Sequence, residues 1–185
     1  MIRYDDQKAQ LKLTKEELKR QIHPDKVKKE YIKWSEQAFK KWKKHFSIFE
    51  EISIVFVSGD YKSVGEYING SYKTPRFILF LDMIEFDARI DEGETLEANF
   101  KITIYHELAH AMCEYQRKRK IHPLIIKYKP FKKEEDFVEQ VARCIHYKQP
   151  IPLEAILMDH ILCVMSKNKT LIKNNDQKIK KALKF

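Results

Sequence analysis

The chain has 185 residues, of which 43% are hydrophobic and 34% are charged, and its formal net charge is +9. This balance is typical of one folded globular domain and excludes an extensively disordered chain. No apolar run reaches the length of a membrane span, and no apolar secretory signal follows the N-terminal methionine. The three cysteines are widely spaced, so they predict reduced core residues of a cytoplasmic protein rather than a disulfide framework.

Lysine and arginine are concentrated at the two ends of the chain, in residues 1–50 and 160–185, whereas residues 51–100 are acidic. Basic ends of this kind are compatible with contact to nucleic acid or to acidic partners. Lysine dominates and arginine is scarce, which favours ordinary solvated helix surfaces. Contact with nucleic acid is therefore the less favoured of the two interpretations.

Residues 1–50 are predicted to be mainly helical. Thr14 and Glu17 form a capping box, which predicts a short helix over residues 15–21 that ends at the turn His23-Pro24. A longer helix is predicted over residues 25–46, because large apolar residues recur there at helical spacing. These residues are Tyr31, Trp34, Ala38, Trp42 and Phe46. A stripe of this kind is typical of a helix that packs on a core.

Residues 51–81 carry the strand signals. Residues 51–58 are rich in β-branched side chains, and residues 76–81 are almost wholly apolar, which predicts a central strand buried on both faces. Between them, residues 66–68 predict a strand and Asn69-Gly70 predicts a hairpin turn. Residues 87–93 are predicted to form an acidic loop before the next helix.

A helix is predicted over residues 94–120, and it contains the sequence His106-Glu107-Leu108-Ala109-His110. Histidines four residues apart lie on one face of a helix, one turn apart, where both imidazoles can bind one zinc ion (Zn²⁺). Glu107 can then take a proton from the water that zinc holds at its open position. Uncharged neighbours allow this helix to be buried, which favours a metal site over a chance pair of histidines.

A zinc ion with an open position needs a third protein ligand, which we expect from a helix predicted over residues 134–146. Glu135 is favoured as this ligand, and Glu134 is the alternative. Glu139 lies one turn after Glu135, where it can accept a hydrogen bond from the distal nitrogen of a liganding histidine. Residues 151–166 predict a last amphipathic helix, and Pro152 suits its first turn.

The motif over residues 103–112, followed by Glu135 and Glu139, resembles the gluzincin group of zinc metallopeptidases, which includes thermolysin and small bacterial and phage peptidases of the ImmA/IrrE type. The resemblance implies an α+β, zincin-like fold. In this fold a small twisted mixed or antiparallel sheet packs on four helices. They are an N-terminal helix, the helix with the two histidines, the helix that supplies the third ligand and a C-terminal helix. The resemblance also implies that the strand preceding the central strand over residues 76–81 is the sheet edge that pairs with an extended substrate. The residues of this substrate edge are Gly65, Glu66, Tyr67, Ile68 and Tyr72.

These features together predict a zinc-dependent metallopeptidase that acts on a protein or peptide, with Glu107 as general base. We expect a single domain over residues 1–185, with a helical part (1–50), a catalytic core (51–166) and a basic tail (167–185). A catalytically silent zinc-binding protein and a nucleic-acid-associated protein are the alternatives. The possible donors to the developing oxyanion are Tyr115, His122, Tyr128, His146, Tyr147 and His160. The sequence leaves open the choice among them, the physiological substrate and the oligomeric state.

Overall fold

The computed structural model describes residues 1–4, 19–59, 64–67, 74–90, 93–118, 133–165 and 179–180. The first elements are β1 (Ile2–Tyr4), a 3-10 turn (Pro24–Lys26), α1 (Lys29–His45), β2 (Ile52–Val57), β3 (Gly65–Tyr67) and β4 (Arg76–Phe80). They are followed by α2 (Leu81–Ile90), α3 (Leu96–Lys118), α4 (Glu134–Tyr147) and α5 (Leu153–Met165). The fold class is α+β, as predicted. None of these helices combines the length and the apolar character that a membrane crossing requires.

In the described part of the chain, the strands form one mixed sheet in the order β1-β2-β4-β3. Strands β1, β2 and β4 are parallel, with Ile54 beside Phe77, and β3 runs antiparallel to β4, with Glu66 beside Ile78. The predicted mixed sheet is confirmed, whereas the predicted antiparallel sheet is wrong. The reason lies in the order of elements along the chain. Helix α1 comes between β1 and β2, and the antiparallel strand β3 comes between β2 and β4. Each of these connections brings the chain back to the same end of the sheet, so β1, β2 and β4 run in the same direction.

Helix α2 is the main difference from the sequence prediction. It follows β4 directly and extends to Ile90, so the predicted acidic loop over residues 87–93 is wrong up to that residue. Buried Leu81 and Ile84 lie three residues apart on the inner face of the helix. In the sequence, the apolar residues of β4 continue into this helix, which hides the change from a strand period to a helical one.

Most of the remaining predictions match the observed elements to within a few residues. The short helix predicted over residues 15–21 lies mostly outside the described residues, and Gln21 at its end forms an isolated antiparallel bridge with Val57 instead. The long N-terminal helix begins at Lys29 rather than at residue 25, because residues 24–26 form the 3-10 turn. Strand β1 was not predicted, since three residues carry little periodicity. Thr14, the turn at Asn69-Gly70 and most of the basic tail lie outside the described residues.

One hydrophobic core extends from α1 to α5. Strand β2 is buried along its whole length because it is covered on both faces. Ile54 and Phe56 face the main core, whereas Val55 and Val57 pack on the other side of the sheet. Strand β4 alternates in the same way, so the predicted burial of this strand on both faces is confirmed.

A buried carboxylate fixes the connection between α1 and β2. Asp159 of α5 is 1% exposed. It accepts hydrogen bonds from the backbone N–H groups of Ser47 and Ile48 at 3.0 and 2.9 Å. The C-terminal helix thereby holds the residues that lead into the central strand of the sheet.

Replacing Asp159 with alanine should lower the free energy of unfolding by about 2–3 kcal/mol, because two buried backbone donors lose a charged acceptor. Urea denaturation of the wild type and the variant measures this difference. Asp25→Ala is the control, because the Asp25 side chain is 89% exposed, and it should change stability by less than about 0.5 kcal/mol. Equal effects of the two substitutions would contradict the role of Asp159.

Candidate metal centre

Helices α3 and α4 pack together and bring three predicted ligands to one place. His106 and His110 lie one turn apart on α3, and their Nε2 atoms are 3.1 Å apart. Glu135 lies in the first turn of α4, with Oε2 3.4 Å from Nε2 of His106 and Oε1 3.3 Å from Nε2 of His110. Within the described residues, these side chains form the group of donor atoms that can hold a metal ion.

The spacing of these donors suits a tetrahedral zinc ion. Nitrogen and oxygen ligands at about 2.0–2.2 Å from zinc are separated from one another by about 3.3 Å in tetrahedral geometry. The two Nε2 atoms are 3.1 Å apart, and each lies 3.3 or 3.4 Å from a different carboxylate oxygen of Glu135. With one ligand atom from each residue, all three atoms lie within 4.8 Å of one another. Two imidazoles and one carboxylate also form a known donor set of catalytic zinc sites, in which a fourth position stays open. A change in the orientation of the Glu135 carboxylate, which brings one of its oxygens close to both nitrogens, would complete such a site.

Each imidazole is contacted at its distal nitrogen by a different glutamate of α4. Nδ1 of His106 is 3.3 Å from Oε2 of Glu139, and Nδ1 of His110 is 2.9 Å from Oε1 of Glu134. These contacts orient both Nε2 atoms towards Glu135. Glu139 therefore has the predicted contact. Glu134, the alternative ligand, contacts Nδ1 of His110 and therefore lies on the opposite side of this imidazole from Nε2 and Glu135.

Two arginines that were not predicted as site residues lie behind these glutamates. Arg117 of α3 binds the carboxylate of Glu134, and Arg143 of α4 binds the carboxylate of Glu139. Arg143 also donates to Glu94, with an N–O distance of 2.7 Å. The spacing of Glu139 and Arg143 on one helix is a signal that could have identified this pair. The other pair joins two helices and has no such signal.

These contacts favour ionised glutamates. The hydrogen bond with His106 lowers the pKa of Glu139, and Arg143 lowers it further, although burial opposes both. For Glu134, burial raises the pKa, but hydrogen bonds with His110 and with the neighbouring arginine outweigh it, and the pKa is lowered overall. Both carboxylates are therefore charged acceptors at neutral pH, which strengthens their hold on the imidazoles.

The surroundings of His110 favour a positive charge. Burial alone lowers the pKa of this histidine, but the hydrogen bond with Glu134 and the charges of Glu107 and Glu135 raise it overall. A proton and a metal ion compete for the same nitrogen. The negative charges that hold the proton therefore also attract a metal cation.

Glu107 lies beside the three donors and against the edge strand of the sheet. Its side chain is buried, with 4% of the residue exposed. Strand β3 passes so close that a Cβ atom added to Gly65 would lie 2.9 Å from Oε1 of Glu107 and 2.9 Å from Cγ2 of Thr103. Glycine at this position therefore permits the close approach of the strand to the carboxylate. Gly65, His106 and Glu107 line one cavity of about 690 Å³.

The predicted substrate edge is described only in part. Gly65, Glu66 and Tyr67 form β3, which is the outermost strand of the sheet among the described residues. Ile68 and Tyr72 lie outside the described residues. The first three residues of the predicted edge therefore form an edge strand beside Glu107, and their role in binding substrate stays a prediction.

The predicted oxyanion donors that the structure describes are not among the residues that line this cavity. Tyr147 donates to Glu94 at 2.6 Å, and Tyr115 and His146 belong to α3 and α4 without lining the cavity. His160 lies on α5. His122 and Tyr128 lie outside the described residues. Arg143 is the cationic side chain among the described residues that line the cavity.

Comparison of the chain with protein-family models, with curated protein sequences and with solved structures finds no match. Two histidines near a glutamate do not identify a family by themselves. The gluzincin resemblance and the zincin-like fold therefore stay predictions. The function has to be argued from the geometry of the site.

We expect the protein to bind one zinc ion per chain, with different effects of substitution at the two neighbouring glutamates. Glu135→Ala removes a ligand and should lower zinc affinity by more than about a hundredfold, whereas Glu134→Ala only loosens His110 and should weaken it by about 10- to 100-fold. Elemental analysis gives the stoichiometry, and competition with a chromophoric chelator gives the affinities. Asp136→Ala, at the exposed neighbouring residue, is the control. A larger loss in Glu134→Ala would reverse the assignment.

Proposed function

We propose that this protein is a zinc-dependent metallopeptidase. The observation that carries the proposal is the meeting of three features at one cleft. These features are a His-His-Glu group whose ligand atoms lie within 4.8 Å of one another, a buried glutamate beside it and the edge strand of a sheet against that glutamate. A structural zinc site normally has four protein ligands and needs neither of the other two features. Their combination supports catalysis over a structural role.

His106, His110 and Glu135 would hold the ion, with their orientation maintained by the glutamates behind the two imidazoles. Bound there, zinc supplies Lewis-acid chemistry: it lowers the pKa of water and polarises the carbonyl group of the scissile peptide bond. The protein would keep the three donors close together and leave room for a water molecule in the cavity that His106 and Glu107 line.

Glu107 is the general base of the proposed mechanism. The oxygen of the attacking water forms a bond to the carbonyl carbon, and the proton that it loses passes to the Glu107 carboxylate. When the carbon–nitrogen bond breaks, Glu107 returns this proton to the departing amine. Burial of this side chain restricts its motion, so that the carboxylate stays near the water and the leaving nitrogen.

Strand β3 would hold the substrate. In the described part of the chain it pairs on one side, with β4, so its other side can form backbone hydrogen bonds with an extended peptide. Gly65 lies in this strand against Glu107. A peptide added to the edge would therefore pass directly beside the general base. This arrangement links substrate binding to the catalytic carboxylate.

Glu107→Gln should lower kcat for peptide cleavage by about 100- to 10,000-fold, because glutamine cannot accept the proton. Zinc affinity should stay near that of the wild type, since this residue is not among the three donors. Cleavage is measured on a library of fluorescence-quenched peptides. Glu97→Gln, a half-exposed glutamate in the first turn of the same helix, should keep wild-type activity. Zinc binding by the wild type without cleavage of any peptide would support the catalytically silent alternative instead.

Gly65→Ala should lower kcat by about 10- to 100-fold, because the added methyl group displaces the carboxylate of Glu107. Zinc affinity should change little. The double variant with Thr103→Ser removes one of the two close contacts of the new methyl group, and it should recover part of the activity. Steady-state kinetics and chelator competition provide the two readouts. Full activity in Gly65→Ala would show that the close approach of β3 is not needed for catalysis.

A further inference from the structure

We propose that the cleft selects peptides that carry a lysine or arginine side chain next to the scissile bond. This inference rests on the proposed peptidase function and names its substrate class. It comes from the cavity that begins at Glu107 and continues between two helices. Its lining includes Met83, Asp87 and Ile90 of α2, which have the spacing of a single helix face, and Ile102 and Thr103 of α3.

The walls of this groove suit a long side chain with an apolar stem. Met83, Ile90 and Ile102 contribute apolar surface, and Val64 lies beside the edge strand. A volume of about 690 Å³ is in the range that accommodates a ligand much larger than one side chain. The methylene groups of lysine or arginine can cover such walls while the charged end reaches further.

The charged side chains that line the groove differ in whether they have an oppositely charged partner. Arg143 is bound between Glu139 and Glu94, so its charge is already neutralised. Asp87 forms no hydrogen bond or ion pair with the residues that the structure describes. Together with Glu107, it leaves the groove with an excess of negative charge. The ligand that satisfies Asp87 is therefore a cation.

Asp87 acts on specificity in two ways. A lysine ammonium or arginine guanidinium group forms a charge-assisted hydrogen bond with its carboxylate. An apolar side chain of the same length would cover the carboxylate without satisfying it, and an acidic one would be repelled. Selection for a basic side chain follows from both effects.

The test uses the zinc-loaded full chain and a random peptide library whose cleavage sites are read by mass spectrometry. Lysine and arginine should be enriched at one position beside the cleaved bond. In matched peptides that carry lysine or norleucine at this position, Asp87→Asn should lower the ratio of their kcat/KM values by about tenfold or more. Asp87→Lys should shift the preference towards glutamate. Asp25→Asn removes the same charge outside the groove, and it should leave the ratio as in the wild type.

The outcomes distinguish a failure of the proposed specificity for basic residues from a failure of the proposed peptidase function. Cleavage without enrichment of basic residues, or an enrichment that persists in Asp87→Asn, overturns the substrate class and leaves the peptidase function standing. No cleavage of any library member by the wild type overturns both. If Asp87→Lys fails to fold in thermal denaturation, the nearly isosteric Asp87→Asn still gives the deciding ratio.

Discussion

The packing of α4 on α3 is the constraint on which the candidate site depends. It carries Glu134 and Glu139 to the distal nitrogens of the two histidines, and it places Glu135 between their inner nitrogens. Buried residues on both helices hold this contact. A small rotation of α4 would remove all three carboxylates from the imidazoles at once. The donor group, the orientation of the imidazoles and the negative charge around them therefore depend on one helix interface.

Local periodicity made much of the site predictable. A spacing of four residues placed His106 and His110 on one helix face, and the same spacing related Glu135 to Glu139 on the next helix. Composition also identified the strands that pass through the core. These predictions succeeded because helical and strand periods are properties of neighbouring residues. The choice of Glu135 over Glu134 agrees with the geometry, since Glu134 contacts the outer nitrogen of His110 instead.

Features that depend on distant residues could not be predicted in the same way. The direction of β4 is set by the crossover that precedes it, and no residue within the strand encodes it. Helix α2 was missed because its first apolar residues continue those of β4. The contact of Arg117 with Glu134 joins two helices, and its partners are separated by a long connection. The close approach of Gly65 to Glu107 is likewise visible only once the sheet is placed on α3.

The direct continuation of β4 into α2 bears on how the cleft would recognise the proposed substrate. Gly59 donates to Asp82 at 2.6 Å at the start of this helix, and Lys28 binds Glu85 at 2.8 Å along its length. One wall of the groove is thus an extension of the sheet and is fastened to it and to the segment before α1. These connections oppose a displacement of this wall relative to the sheet. The groove would then act as a pre-formed binding site. It would exclude a side chain of the wrong shape and would not change its own shape to fit it.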